Sequence, residues 1–230
     1  MSPKKSYFSP ALFEYLRQLK KNNNRDWFMH NKARYESDVR DPALRFIADI
    51  GPGLRKISPH VVADPRPNGG SMFRINRDIR FSADKSPYKT WAAMGFSHDR
   101  GREGSAPGFY LHLEPGTAWG GGGVHAPAGP ALTKIRDAIV ADAATWKRIT
   151  RAPKFAPSYK LMGEALKRAP QGYDPDHPLI EDLKRKSFVW HAQFSEAEAC
   201  APDFMDRYLE ACRTAAPFSR LLARAVGVPW

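Results

Sequence analysis

The chain has 230 residues, of which 42% are hydrophobic and 12% aromatic; that is ample material for one large core and excludes a mostly disordered chain. With 36 basic residues against 24 acidic ones, a formal charge of +12 favours polyanions such as nucleic acid, phosphorylated metabolites or anionic lipid, without choosing among them. No apolar run is long enough to span a bilayer, no signal peptide follows Met1, and Cys200 and Cys212 lie roughly 18 Å apart along helical sequence, so the expectation is a reduced, cytoplasmic protein with no membrane contact.

The first sixty residues read as helical. Ser9 stands as N-cap with Pro10 at the first helical position, where its missing N–H costs nothing, and Leu12, Leu16 and Leu19 share one face. After Lys21-Asn22-Asn23-Asn24, a second stripe runs through Trp27, Tyr35, Val39, Phe46 and Ile50. An interruption is expected at Asp41-Pro42 and an end at Gly51-Pro52-Gly53.

Over residues 61–125 the period becomes strand-like. In GFYLHLEPGTAWGGGG, Pro115-Gly116 suits the centre of a type II turn, which predicts a hairpin. Phe109, Leu111 and Leu113 then face the core, with Tyr110, His112 and Glu114 on the other side. If Glu114 faces Thr117, His112 faces Trp119 and Tyr110 faces Gly121.

Helices return after Gly129-Pro130, marked by Leu132, Ile135, Ile139 and Val140, and another is expected over residues 159–168. Residues 187–194 alternate as a late strand. Ser195 and Glu198 make a capping box opening a C-terminal helical region that Pro202 and Pro217 divide. There is no internal repeat and no linker. The element order implies an α+β fold in one domain over residues 1–230, a largely antiparallel central sheet with N- and C-terminal helices packed around it.

The segment FRINRDIRFSADKSPYKT, residues 73–90, concentrates the candidate chemistry. In a strand over residues 72–81, Phe73 and Ile75 point inward and Arg74 outward, while Ile79 and Phe81 bracket Arg80 in the same way. Two guanidinium groups on one surface suit bidentate recognition of phosphate or carboxylate, and Lys85, Tyr88 and Lys89 add donors. The alternative is structural: Asp78 and Asp84 pair with these arginines and lock a bend.

That string, followed by GFYLHLEPG, the glycine run and LKRAPQGYDPDHPLIEDLKRKSFV, resembles the bacterial and fungal family known as domain of unknown function 2461. The resemblance covers essentially the whole chain. It carries no established activity, and it implies which positions belong to the pattern: Phe73, Arg74, Arg77, Asp78, Arg80, Phe81, Lys85, Pro87, Tyr88 and Lys89, then Tyr110, Glu114 and the glycines. The chain departs from the pattern at Ala83 and at His125-Ala126-Pro127.

The leading expectation is a pocket for an anionic small molecule built from Arg74, Arg77, Arg80, Lys85, Tyr88, Lys89 and Tyr110. Glu114 or Asp78 would serve as general acid or base if chemistry follows. No nucleophile or cofactor signature is present, so no cofactor is expected, and whether the protein is an enzyme stays open, as does its oligomeric state. His112 and Glu114 share a face with Tyr110 as a conceivable acid–base pair, but two ligands do not make a metal site, and no HExxH or close Cys/His spacing predicts one. Residues Gly120 to Gly123 are read as small residues that let another layer pack, with an anion cradle as the alternative. Asp174-Pro175-Asp176-His177-Pro178 reads as a helix-start cap. A second reading is a nucleic-acid binder using the basic stretch 147–168, with Trp146, Phe155 and Tyr159 interleaved. A third is a structural or partner-binding domain with no open cleft.

Overall fold

The computed structural model describes residues 6–101, 105–157 and 164–230. Helix α1, Pro10–Lys21, follows Ser9 as N-cap, and its apolar stripe is fully buried through Leu12, Leu16 and Leu19. The Asn24 side chain accepts the Trp27 N–H to open α2, Arg25–His30, and α3, Lys32–Tyr35, follows. The interruption expected at Asp41-Pro42 is absorbed without a break. Glu36–Arg40 forms a π-helical turn, and α4, Asp41–Arg55, takes Pro42 in its first turn, where the ring suits the backbone. The end expected at Gly51-Pro52-Gly53 is corrected: α4 runs on to Arg55 with Pro52 inside it. Gly53 belongs there because a Cβ would lie 2.6 Å from the Leu209 side chain.

Four strands form one antiparallel sheet in the order β1, Ala92–Phe96; β2, Gly108–Glu114; β3, Thr117–Val124; β4, Phe188–Phe194. Between β2 and β3, Gly116 takes φ +84°, the conformation a type II turn demands at its second central position. This fixes the register: Glu114 opposes Thr117, His112 opposes Trp119 and Tyr110 opposes Gly121. With helices before and after the sheet, the class is α+β.

On the inner face, Met94, Phe96, Leu111, Leu113, Ala118 and Trp190 join the helices in one contiguous core. Helix α9, Phe204–Val226, lies against β3, and a Cβ at Gly120 would come within 2.8 Å of the Tyr208 ring. Absence of a side chain is what lets this helix approach. Pro202 does separate α9 from α8, Glu196–Cys200, whose Ser195–Glu198 capping box is formed in both directions. Pro217 does not divide the region, contrary to expectation: α9 passes through it and ends at Gly227, φ +84°. Between β3 and β4 lie α5, Gly129–Ala141, α6, Ala143–Thr150, and α7, Ile180–Leu183.

Part of the helix expected over residues 159–168 lies outside the described residues. Residues 164–166 instead run alongside residues 184–186, where Ala165 bridges Arg185 and the Leu166 N–H donates to the Lys184 carbonyl at 2.9 Å, and Lys167 and Arg168 form a bend. Both cysteines are free thiols. Among the described residues no helix is long and apolar enough to cross a membrane.

Candidate functional site

Residues 72–81 do not form the expected strand. Two isolated bridges, Met72 with Met94 and Asn76 with Tyr88, hold the segment. The Phe73 N–H donates to the Ala93 carbonyl at 3.0 Å and the Gly95 N–H to the Ser71 carbonyl at 2.8 Å, so the chain first runs along the edge of β1. It then bends at Ile75 and closes a loop through Arg77 N–H to Pro87 (2.9 Å) and Lys89 N–H to Ile75 (2.8 Å). The bend shifts the alternation by one. Met72 and Ile75 are the buried residues, while Phe73 is 46% and Phe81 95% exposed.

Within the loop, most cations are already engaged. Arg77 donates to Asp84, to the Ser86 carbonyl (3.2 Å) and to the Ser82 hydroxyl (3.3 Å). Arg80 grips Asp78 through Nε (3.0 Å) and Nη2 (2.7 Å), and Lys85 Nζ reaches the Ile79 carbonyl at 3.0 Å. Hydrogen bonds from Ser86, then from Arg77, hold the Asp84 carboxyl down at about 2, and Arg80 lowers that of Asp78. A carboxylate held ionised in an ion pair is a poor proton carrier near neutrality. Tyr88 is buried and stacks on Phe28 at 4.1 Å, with the Asn23 amide bonded to its backbone N–H and carbonyl.

Arg74 and Lys89 differ from the others. Lys89 Nζ donates to the Arg74 carbonyl at 2.7 Å and stands over the rings of Phe73 (5.8 Å) and Trp91 (5.0 Å). Burial, and then the charge of Arg74, lower its pKa. Among the described residues neither cation is in an ion pair with a carboxylate, although Arg74 also acts at longer range on Asp78.

Beside this pair, the outer sheet face carries a row of rings. Trp91 packs on His112 at 5.1 Å, His112 stacks on Trp119 at 5.2 Å, and Tyr110 lies 4.9 Å from Trp119 and 5.8 Å from Phe73. His112 is 8% exposed, and its Nε2 lies 3.2 Å from Glu114 Oε2 and its Nδ1 3.2 Å from the Tyr110 hydroxyl. Burial lowers the His112 pKa, with Glu114 opposing, so the imidazole is neutral near pH 7. A carboxylate only accepts, so the ring proton sits on Nε2 and Nδ1 accepts from Tyr110. Desolvation pushes the Tyr110 phenol up to about 12.

A cleft of about 1130 Å³ opens along this face, with Phe73, Tyr110, Trp119, Gly123 and Val189 in its wall. A smaller hollow of about 530 Å³ is lined by Arg77, Asp78, Asp84, Tyr88, Lys89 and Trp91. Thus the structure groups Arg77, Tyr88 and Lys89 in one hollow and places Tyr110 in the other. Arg74, Arg80, Lys85 and Glu114 line neither, although Phe73 and Lys89, the two residues beside Arg74, line one each.

The glycine run offers no anion cradle, since residues 120–123 are in register with β2 on one side and β4 on the other, which takes up their backbone groups. In the basic stretch 147–168, Trp146 and Phe155 are buried core residues in contact with Phe218, so neither ring is presented to a base; Tyr159 lies outside the described residues. His60, His98 and Asp99 bring ligand atoms within 4.8 Å of one another. His98, however, accepts the Arg100 N–H at Nδ1 and donates to the Pro229 carbonyl from Nε2, leaving no lone pair for a metal. Trp91 and Trp119 are the residues that reading for charge passes over, though the predicted pairing of His112 with Trp119 already pointed to a ring stack.

The family model described as a conserved hypothetical protein, DUF2461, matches residues 11–220, and the chain belongs to that family. No curated protein and no solved structure matches it.

Proposed function

We propose that this DUF2461 member binds an anionic small molecule, phosphorylated or carboxylated, on the outer face of its sheet. The charge of the ligand meets Arg74 and Lys89, and its apolar body lies on Phe73, Tyr110 and Trp119. One observation carries this reading: Lys89 Nζ donates to the Arg74 carbonyl at 2.7 Å and stands over the Phe73 and Trp91 rings, with no ion pair to a carboxylate for either cation among the described residues. Two neighbouring cations repel, and an anion between them relieves that repulsion while gaining charge-assisted hydrogen bonds. Arg77 and Arg80 serve instead to shape the loop through Asp84 and Asp78.

A thermal-shift screen of phosphorylated and carboxylated metabolites tests this on the wild type and Arg74→Ala. A binder selective for the native state raises its melting temperature, and the increase grows with the logarithm of ligand concentration above Kd. The increase is expected to vanish in Arg74→Ala, and one that persists there overturns the assignment.

A further inference from the structure

We infer that Tyr110, His112 and Glu114 form a proton relay in which the Tyr110 hydroxyl is the acid–base group presented to the cleft. This rests on the cleft being the ligand site. The three residues alternate on one face of β2, so each side chain reaches only the next, and the hydrogen bonds run in one direction from the phenol to imidazole Nδ1 and from Nε2 to the carboxylate. Satisfying a buried histidine explains His112 and its two partners. It does not explain why Tyr110, and not Glu114, is the end of the chain that lines the cleft.

The direction of the bonds sets the chemistry. Tyr110 spends its proton on His112, leaving its oxygen lone pairs free to accept from a ligand in the cleft. A ligand hydroxyl gives its proton to Tyr110 Oη as the phenolic proton passes to His112 Nδ1, and the O–H bonding pair stays on the ligand oxygen as an oxyanion. The imidazolium so formed is held by Glu114 through Nε2, and the reverse transfer returns the proton. No other reactant is consumed. Tyr110 is thus the catalytic residue, with His112 and Glu114 as the base and its positioning partner.

An aryl sulfonyl fluoride reads this without a known substrate, because the phenol oxygen forms an O–S bond, the S–F bond breaks, fluoride leaves and the proton passes to His112. Tyr7 and Tyr173 are internal controls: their phenols are also pushed up to about 12 but donate to carboxylates, Asp49 at 2.6 Å and Asp137 at 2.8 Å. Peptide mass spectrometry on the intact chain is expected to find Tyr110 labelled faster than both. The rate should rise with pH to a plateau as His112 becomes neutral, with a midpoint below 6.5, the ordinary histidine value.

In His112→Asn, labelling of Tyr110 should fall on the order of 100-fold. In Glu114→Gln, the fall should be smaller and the midpoint should move to lower pH, because Glu114 raises the His112 pKa; a packing role would leave that midpoint unmoved. Tyr110 labelling no faster than the controls, or unchanged in His112→Asn, overturns the relay. If His112→Asn does not fold, a wild-type rate that climbs with hydroxide and shows no plateau overturns it as well. Failure of the anion site shows separately, in the Arg74→Ala melting experiment, since the sulfonyl fluoride carries no anion.

Discussion

The two faces of the sheet are built from alternate residues of the same strands and solve opposite problems. Inside, β3 gives up its side chains at Gly120 and Gly122 so that Tyr208 and Trp190 can close on the backbone. Outside, the same strand carries Trp119 and β2 carries Tyr110, His112 and Glu114, polar and aromatic groups of which Tyr110 and Trp119 line a cleft. The inner face places apolar bulk against bare backbone for stability. The outer face buries a titratable ring beside a carboxylate, an arrangement that costs stability unless every polar atom is paired.

The sharpest way to break this contrast is to remove one tryptophan from each face. Trp190 is 1% exposed, and Trp190→Ala should cost about 3–5 kcal/mol in urea unfolding. Trp119→Ala, on the half-exposed side, should cost less than half as much, and equal losses would show that the faces are not different in kind. Next in size, Gly120→Ala drives a methyl group to 2.8 Å from the Tyr208 ring and should cost about 1–3 kcal/mol, read as a lower urea midpoint with an unchanged slope.

A third and smaller effect sharpens the outer side. Burial lowers the His112 pKa below its ordinary 6.5, so the unfolded chain binds its proton at higher pH than the folded one. Stability from this site is complete above 6.5 and is lost as the pH falls through the folded value. His112→Asn should flatten the stability profile in that window, and a wild-type profile already flat there would contradict a buried neutral imidazole.

The inner face was largely legible in the sequence because its rules are local. Pro115-Gly116 sets the turn, the turn sets the register, and alternation then sorts Leu111 from His112. Proline misled where packing decides: Pro52 and Pro217 lie inside helices that continue past them, each losing one backbone bond that the surrounding core outweighs. The basic segment misled for a different reason. Alternation reports a face only while the chain is straight, and the bend at Ile75 exchanged the inward place of Phe73 for that of Met72. The arginines could be named, and Asp78 and Asp84 offered as partners, from spacing alone. What spacing does not contain is that Arg74 makes no such ion pair among the described residues, or that Trp91 turns from this loop onto His112.

The bonds from residues 71 and 73 to Ala93 and Gly95 have a consequence unrelated to ligands. An outermost strand with bare N–H and C=O groups is a template for strands of other molecules. Here the arginine-rich strap occupies that template on β1 and surrounds it with charge. Shortening the strap would therefore bare the β1 edge and lower solubility, and pressure to stay monodisperse would by itself preserve this stretch.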